Sequence, residues 1–245
     1  MKDSKISIIV IAYNEEKYLP IILGSLSNQT NKDFEVIVTD SGSSDNTVNT
    51  ALGFKEKFDA LQVVELGCAK GPAYARNKGA EAASYERLIF LDADTRLKNN
   101  FIENVKKELD LKKPDVATCP IRISEKDPLS NFGAIFLNVF MLVLKPVYSA
   151  AYGACFISTK TVHKKLNGFR EDLGICEDCN YIKRARRIYN YKFRILSSYF
   201  YTSDRRAKSE GQFGFMFKYI LIHLYRMFTG NEILKEKIHY NYGGF

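Results

Sequence analysis

Leu88-Ile89-Phe90-Leu91-Asp92-Ala93-Asp94-Thr95 sets an unbroken apolar run directly against two carboxylates. The run reads as the end of a strand buried on both faces, since no polar residue alternates with the apolar ones. Charge at the end of such a strand is expensive to place and needs a reason. In an extended chain residues i and i+2 point to the same side, so Asp92 and Asp94 can converge on one ligand. A hard divalent cation carrying a phosphate suits them, because Mg²⁺ or Mn²⁺ takes a few carboxylate oxygens and fills its remaining positions from substrate and water. Taken alone, the pair is better explained as a solvated loop start or a helix N-cap.

Working outward, the same strand-then-polar pattern recurs. Ile6 to Ala12 is a β-rich apolar run, followed by helical spacing from Glu15 to Ser27 (Leu19, Ile22, Leu23, Leu26). Phe34 to Thr39 is a second strand, with a turn-rich segment and a helix beginning near Asp45. Leu61 to Leu66 is a third strand, Ala73 to Ala83 a helix, and Arg87 to Leu91 a fourth strand. Nearly all-apolar strands alternating with helices predict an α/β fold with a mostly parallel central sheet covered on both faces. Ligands of such sheets bind at the carboxyl ends of the strands. Polar residues collect there: Tyr13-Asn14-Glu15, then Asp40 to Asp45, then Asp92 to Asp94. The second half is less regular. It predicts an apolar helix over Phe132 to Leu144, strands at Ala154 to Ser158 and Lys192 to Leu196, a basic helix over Asp178 to Tyr189, and an aromatic-rich helix over Gln212 to Phe228.

A chain of 245 residues with 46% apolar content can bury a full core, and it carries no low-complexity tract. The net charge of +8 suits an anionic partner, a nucleotide or an acidic membrane surface. A nucleic-acid binder would show one basic stripe with exposed aromatics, whereas here the basic residues are dispersed and the ordered motifs are acidic. The first residues lack the apolar core of a signal peptide, and five cysteines without framework spacing imply a reducing compartment. Cys176 and Cys179 form one C-x-x-C. Zinc or redox chemistry would call for a second pair or a histidine close in sequence, and neither is present.

Three stretches taken together resemble the N-terminal half of family 2 glycosyltransferases of the GT-A fold: Ile9 to Glu16, Val38 to Thr47, and Leu91 to Asp94. Gly168-Phe169-Arg170-Glu171 followed by Glu177-Asp178 is similar to the acceptor-side pattern of that family, and the likeness covers most of residues 5 to 197. It implies inverting transfer of a sugar from a nucleotide-diphosphate sugar (UDP or GDP type) with Mg²⁺ or Mn²⁺. It also implies a nucleotide-binding half over about residues 1–97 and an acceptor half over about 98–200. By the resemblance, Ala12, Tyr13 and Glu15 line the base pocket; otherwise Asn14 or Glu15 reads as a cap of the next helix. Asp40 accepts from the base and Ser43 follows in the turn, while Asp45 is as well explained as an N-cap. Gly71 before Ala75-Arg76-Asn77 lets backbone approach a phosphate, and Arg76 offers a planar fork of donors, unless it is a solvated helix arginine. Asp94 takes the metal, with Asp92 on the ribose or a metal-bound water. Asp178 is the candidate general base, and Glu177 positions base or acceptor. Cys179-Asn180-Tyr181 departs from the usual acidic-then-Leu continuation and leaves the helix face open. Arg205 and Arg206 form either a phosphate clamp or a solvated basic turn.

Absences narrow the reading. With no Trp the chain lacks the Q-x-x-R-W element of processive polymer synthases, and it has neither a dinucleotide fingerprint nor a P-loop. The apolar stretch from Phe132 to Val147 is shorter than the roughly 20 residues of a spanning helix. Residues 201–245 read as a helical extension that lies in a membrane interface or packs on the domain or a second subunit. The expectation is a non-processive enzyme on the cytoplasmic membrane face that transfers to an acceptor hydroxyl or a lipid phosphate, with a lipid-linked acceptor. The alternative is a degenerate domain that binds nucleotide without transfer.

Overall fold

In β1 (Ile6–Ala12), Ile6, Ile8 and Val10 face one core while Ile9 faces another, and all four are buried. That is why the strand carries no polar alternation: both faces of the sheet are covered. The computed structural model describes residues 5–123, 128–145, 148, 150–203, 205 and 212–237. β2 (Phe34–Asp40), β3 (Leu61–Glu65) and β4 (Arg87–Asp92) join β1 in parallel, with Ala12 opposite Asp40 and Ile11 opposite Asp92. This register brings the three polar strand ends to one edge.

The first face of the sheet is covered by α1 (Leu19–Ser27), α2 (Thr47–Leu52) and α4 (Phe101–Lys112). The second is covered by α3 (Pro72–Ala82), α6 (Lys160–Lys165) and α7 (Glu177–Tyr189). α1 starts at Leu19 rather than Glu15, because Asn14 sits at φ 55° and the chain turns before Pro20 can open the helix. α4 was not legible as a distinct element. Its buried residues Phe101, Ile102, Val105 and Leu109 do follow helical spacing, behind an Asn99-Asn100 turn.

Beyond β4 the sheet turns mixed. The order is β3-β2-β1-β4-β8-β6-β9, in which β8 (Cys155–Thr159) runs antiparallel to both neighbours, β4 and β6 (Val116–Thr118), and β6 pairs parallel with β9 (Phe193–Ile195). A second, three-stranded sheet joins β5 (Thr95–Arg96), β10 (Phe200–Thr202) and β7 (Ile121–Arg122). Thr202 lies opposite Thr95, so Ser203 and Arg205 arrive beside the Asp92-Ala93-Asp94 turn.

α5 (Pro128–Leu144) docks on β7 through Asn138, the residue that interrupts its apolar run. The Asn138 Oδ1 accepts from the Ile121 N–H at 3.0 Å and its Nδ2 donates to the Ile121 carbonyl at 2.8 Å. α8 (Gln212–Thr229) packs through Ile222 and buried Arg226. Phe217, Leu221, Tyr225 and Phe228 on the same helix stay exposed. Among the described residues no helix is long and apolar enough to cross a membrane.

Candidate active site

The loops after β1 and β2 are laced together. Asp40, only 2% exposed, accepts from the Gly42 N–H at 3.0 Å and the Ser43 N–H at 2.9 Å, and the Ser43 hydroxyl donates to its other oxygen. Its carboxylate is therefore committed to shaping its own turn. Gly42, at φ 77°, carries that turn, and a Cβ there would come within 2.9 Å of the Cys68 nitrogen. The Ser43 hydroxyl accepts from the Asn14 N–H at 2.8 Å, and Thr47 Oγ1 accepts from the Glu15 N–H at 2.8 Å. Asp45 accepts from the Thr47 and Glu16 N–H groups at 3.0 and 3.1 Å, which makes it a turn and helix-start residue.

Gly71 precedes α3 at φ 96° and ψ 170°, a conformation open essentially to glycine alone. One turn later Arg76 is buried at 2% exposure, so the solvated-arginine reading is excluded. Its Nη2 donates to Asp92 Oδ1 at 2.9 Å and its Nη1 to Glu177 Oε1 at 2.5 Å. The guanidinium stacks on Phe169 at 5.6 Å from the ring centre. Arg76 thus ties the end of β4 to the start of α7, and the fork expected for a phosphate is engaged by two carboxylates. Its neighbour Asn77 reads the same turn: the Phe169 N–H donates to Asn77 Oδ1 at 2.8 Å, and Asn77 Nδ2 donates back to the Phe169 carbonyl at 3.0 Å.

Glu177 and Asp178 occupy the first turn of α7, where the helix dipole favours negative charge, and both are buried. The Asp178 carboxyl is pushed up to about 6, first by burial and then by the charge of Glu177, with Arg76 pulling the other way. Gly153 makes room beside it. A Cβ at this position would meet Arg76 Nη2 at 2.9 Å and Asp178 Oδ2 at 3.3 Å. Sequence reasoning missed Gly153, whose one signal is a glycine directly before a predicted strand.

The same cavity carries a second charge cluster. Arg205 holds Glu15 bidentately, with Nη1 to Oε2 at 2.9 Å and Nη2 to Oε1 at 2.5 Å, and its Nε lies 3.2 Å from Asp94 Oδ2. The Ser203 hydroxyl donates to the same Asp94 oxygen at 2.7 Å. Glu15 is nevertheless raised from its ordinary value, because burial outweighs the arginine and Asp94 and Asp92 add like charge. Arg205 is therefore an ion-paired residue at the site rather than a solvated turn, and Arg206 lies outside the described residues. One cavity of about 360 Å³ takes in Ala12, Tyr13, Glu15, Gly71, Arg76, Asp92, Asp94, Arg205, Glu177 and Asp178. Ser43 and Asp40 stand behind this wall, in the turn whose Ser41 reaches the cavity. Its far wall is apolar, formed by Ile121, Ile123, Leu137, Phe140 and Met141.

Comparison with known proteins identifies the family and the fold. Residues 7–173 match glycosyl transferase family 2. The chain is 36% identical over 106 residues to the poly-beta-1,6-N-acetyl-D-glucosamine synthase of Staphylococcus epidermidis, covering 42% of this chain and 26% of that protein. It is 26% identical over 211 residues to the poly(ribitol-phosphate) beta-N-acetylglucosaminyltransferase TarS of Staphylococcus aureus, covering 83% of this chain and 36% of TarS. The chain thus spans about a quarter to a third of the length of these two curated relatives. Among solved structures, the mannosyltransferase PcManGT of Pyrobaculum calidifontis, in complex with GDP-Man and Mn²⁺, superposes with a TM-score of 0.71 at 20% identity, over 94% of this chain and 72% of that one. TarS residues 1–349 in complex with UDP superpose with a TM-score of 0.64 at 24% identity, over 81% of this chain and 60% of that one. These likenesses establish the α/β GT-A fold. The family match spans β1 to the Phe169 turn and includes Arg76, Asp92 and Asp94, and over that extent it makes the chain a member of glycosyl transferase family 2.

Proposed function

We propose that the protein is a metal-dependent inverting glycosyltransferase that moves a sugar from a UDP- or GDP-sugar to an acceptor hydroxyl on a lipid-linked molecule. The observation that carries this reading is one cavity lined by two carboxylate groupings, Asp92 with Asp94 and Glu177 with Asp178. In this reading Asp92 and Asp94 serve the donor and Glu177 and Asp178 the acceptor, with Arg76 paired to Asp92 and to Glu177. The relatives support the donor class, being TarS with UDP and PcManGT with GDP-Man. In this reading Gly71 and the β1 and β2 loops receive the nucleotide. Asp178 takes the proton from the acceptor hydroxyl as that oxygen attacks the sugar from the side opposite the leaving diphosphate. Glu177, held by Arg76, keeps the turn of α7 aimed at the acceptor.

The donor set at Asp94 and Asp92 fits a hard cation. It consists of carboxylate oxygens only, with a third carboxylate, Glu15, lining the same cavity. Asp94, with Asp92 beside it, would hold Mg²⁺ or Mn²⁺, which supplies neutralisation of the charge developing on the diphosphate. Arg205 then exchanges its carboxylate partners for phosphate oxygens, which suit its planar fork equally well. The Arg205 clamp on Glu15 and Asp94 is also what favours the second reading, a nucleotide-binding module without transfer. A screen of nucleotide diphosphates and their sugars with and without Mn²⁺ separates the two. Ligand at 100 times its Kd raises stability by about 2.7 kcal/mol, or roughly 5–11 °C in Tm for a chain of this size. Asp94→Asn is expected to lose the Mn²⁺-dependent part of that shift. Mn²⁺-dependent donor hydrolysis by the parent protein would dismiss the inert module.

The lipid-linked acceptor and a peripheral position on the cytoplasmic membrane face are supported by two apolar faces. Phe132, Ile135, Phe136, Val139, Leu142 and Val143 are exposed along α5, which also lines the cavity, and the exposed face of α8 adds Phe217, Leu221, Tyr225 and Phe228. With a net charge of +8, these faces suit an anionic bilayer surface. Burying one such side chain is worth about 1.5–3 kcal/mol, so Val139→Glu or Leu221→Glu should cut cosedimentation with anionic vesicles by roughly 10-fold or more. Unchanged vesicle binding in both would assign the faces to a protein contact instead.

A further inference from the structure

The thiols that the sequence left without a role flank the two acidic residues of α7, in the order Cys176-Glu177-Asp178-Cys179. Cys176 caps the helix in a left-handed conformation at φ 62°, and Cys179 lies in its first turn. Both are buried and free of disulfide. The missing histidine is supplied by tertiary structure. α8 folds back so that a ring nitrogen of His223 and the two sulfurs all lie within 4.8 Å of one another.

We propose that Cys176, Cys179 and His223 form a binding site for a soft divalent transition metal, with Zn²⁺ as the natural occupant. The donor set is two sulfurs and one imidazole, which selects zinc-like ions over the Mg²⁺ or Mn²⁺ suited to the all-oxygen Asp92 and Asp94 pair. Tetrahedral zinc, with bonds of about 2.3 Å to sulfur and 2.0 Å to nitrogen, brings its ligand atoms to roughly 3.5–3.8 Å from one another. Small side-chain rotations close the remaining gap.

The histidine is oriented in advance. Tyr148 Oη lies 3.1 Å from His223 Nδ1, which leaves Nε2 to ligate, and Arg226 Nη1 donates to the same Oη at 2.8 Å. Arg226 is itself anchored by Glu232 at 2.6 Å. Such outer partners fix ring orientation and tautomer at metal sites. Arg226 also acts electrostatically on both sulfurs, so its charge complements a thiolate pair. As the two sulfur–metal bonds form, each thiol gives its proton to solvent. All three residues line the cavity, so a water from it would complete the coordination. The metal would staple the turn that carries Glu177 and Asp178 to α8. The proposal stands on these residues alone and does not depend on the transferase reading.

The test titrates the reduced full chain with Co²⁺. Expected are thiolate-to-cobalt charge-transfer absorption and intense tetrahedral visible bands at one Co²⁺ per chain, displaced by Zn²⁺, with release of protons. Co²⁺ on Asp92 and Asp94 would give only the weak bands of an oxygen site, so failure of one site is not confused with the other. Cys176→Ser and Cys179→Ser should abolish the bands and Cys68→Ser should leave them. Tyr148→Phe should weaken affinity by roughly 10- to 100-fold, and His223→Ala by more. Circular dichroism checks that each variant is folded. Absence of the bands in the folded, reduced parent overturns the proposal. Bands indifferent to both His223→Ala and Tyr148→Phe also overturn it. A chain that instead closes a Cys176–Cys179 disulfide in air, and takes up no metal after reduction, carries a redox pair and overturns it as well.

Discussion

Asp178→Asn is expected to lower sugar transfer by about 10²- to 10⁴-fold, the range over which removal of a general base acts. Nucleotide binding and Tm should stay near those of the parent. The substitution keeps the shape of the side chain and an oxygen to accept the Cys179 N–H, which Asp178 Oδ1 holds at 2.7 Å. It removes only the ability to take a proton. The parent protein should show the matching pH dependence. The Asp178 carboxyl titrates near 6, raised by burial and by Glu177. Because the base works ionised, kcat/KM is full above that pH and falls about tenfold per pH unit below it. Product formation measured across pH 4.5–8 checks the limb, and full transfer by Asp178→Asn would remove this residue from the reaction.

Arg76→Met carries the largest expected effect on stability. The guanidinium is buried and paired with Asp92 and Glu177, next to Asp178. Removing one partner of a buried ion pair costs about 3–5 kcal/mol, because the carboxylates left behind lose their compensation. For a chain of this length that is a fall in Tm of roughly 6–20 °C. Activity responds with a direction of its own. Arg76 is one of the influences that hold the Asp178 carboxyl down, so its loss raises that group further and moves the acidic limb of the rate profile to higher pH. Arg76→Lys keeps the charge without the fork and should fall between the two. Adding Glu177→Gln to Arg76→Met should recover part of the stability, since one of the uncompensated charges is gone. A Tm unchanged in Arg76→Met would show that the carboxylates are satisfied without it.

The parallel half of the fold was legible because each strand obeys a local rule. Ile6 to Ala12 and Leu88 to Leu91 are apolar on both faces, and the polar residues that follow mark the ligand edge. The mixed half was harder to read for a reason visible in β6 and β7. Val116–Thr118 and Ile121–Arg122 are too short to display a period, and they become strands only through pairing with β8, β9 and β10. Arg76 and Asn77 were legible as a motif, but their work was not. Asn77 binds the Phe169 turn, and Arg76 joins a strand end to a helix 101 residues away in sequence. Arg205 likewise reaches Glu15 across 190 residues, through the register of β10 on β5.

Sequence by itself therefore determined the family, the polar sheet edge and the carboxylates that gather there, since these rest on residue type and short spacing. Tertiary structure alone decided how those charges are paired. It turned Asp40 inward to build its own turn, set Arg76 between Asp92 and Glu177, and carried His223 to Cys176 and Cys179. Short-range pattern records which groups are costly to bury. Only packing brings together, from distant parts of the chain, the partners that make their burial affordable.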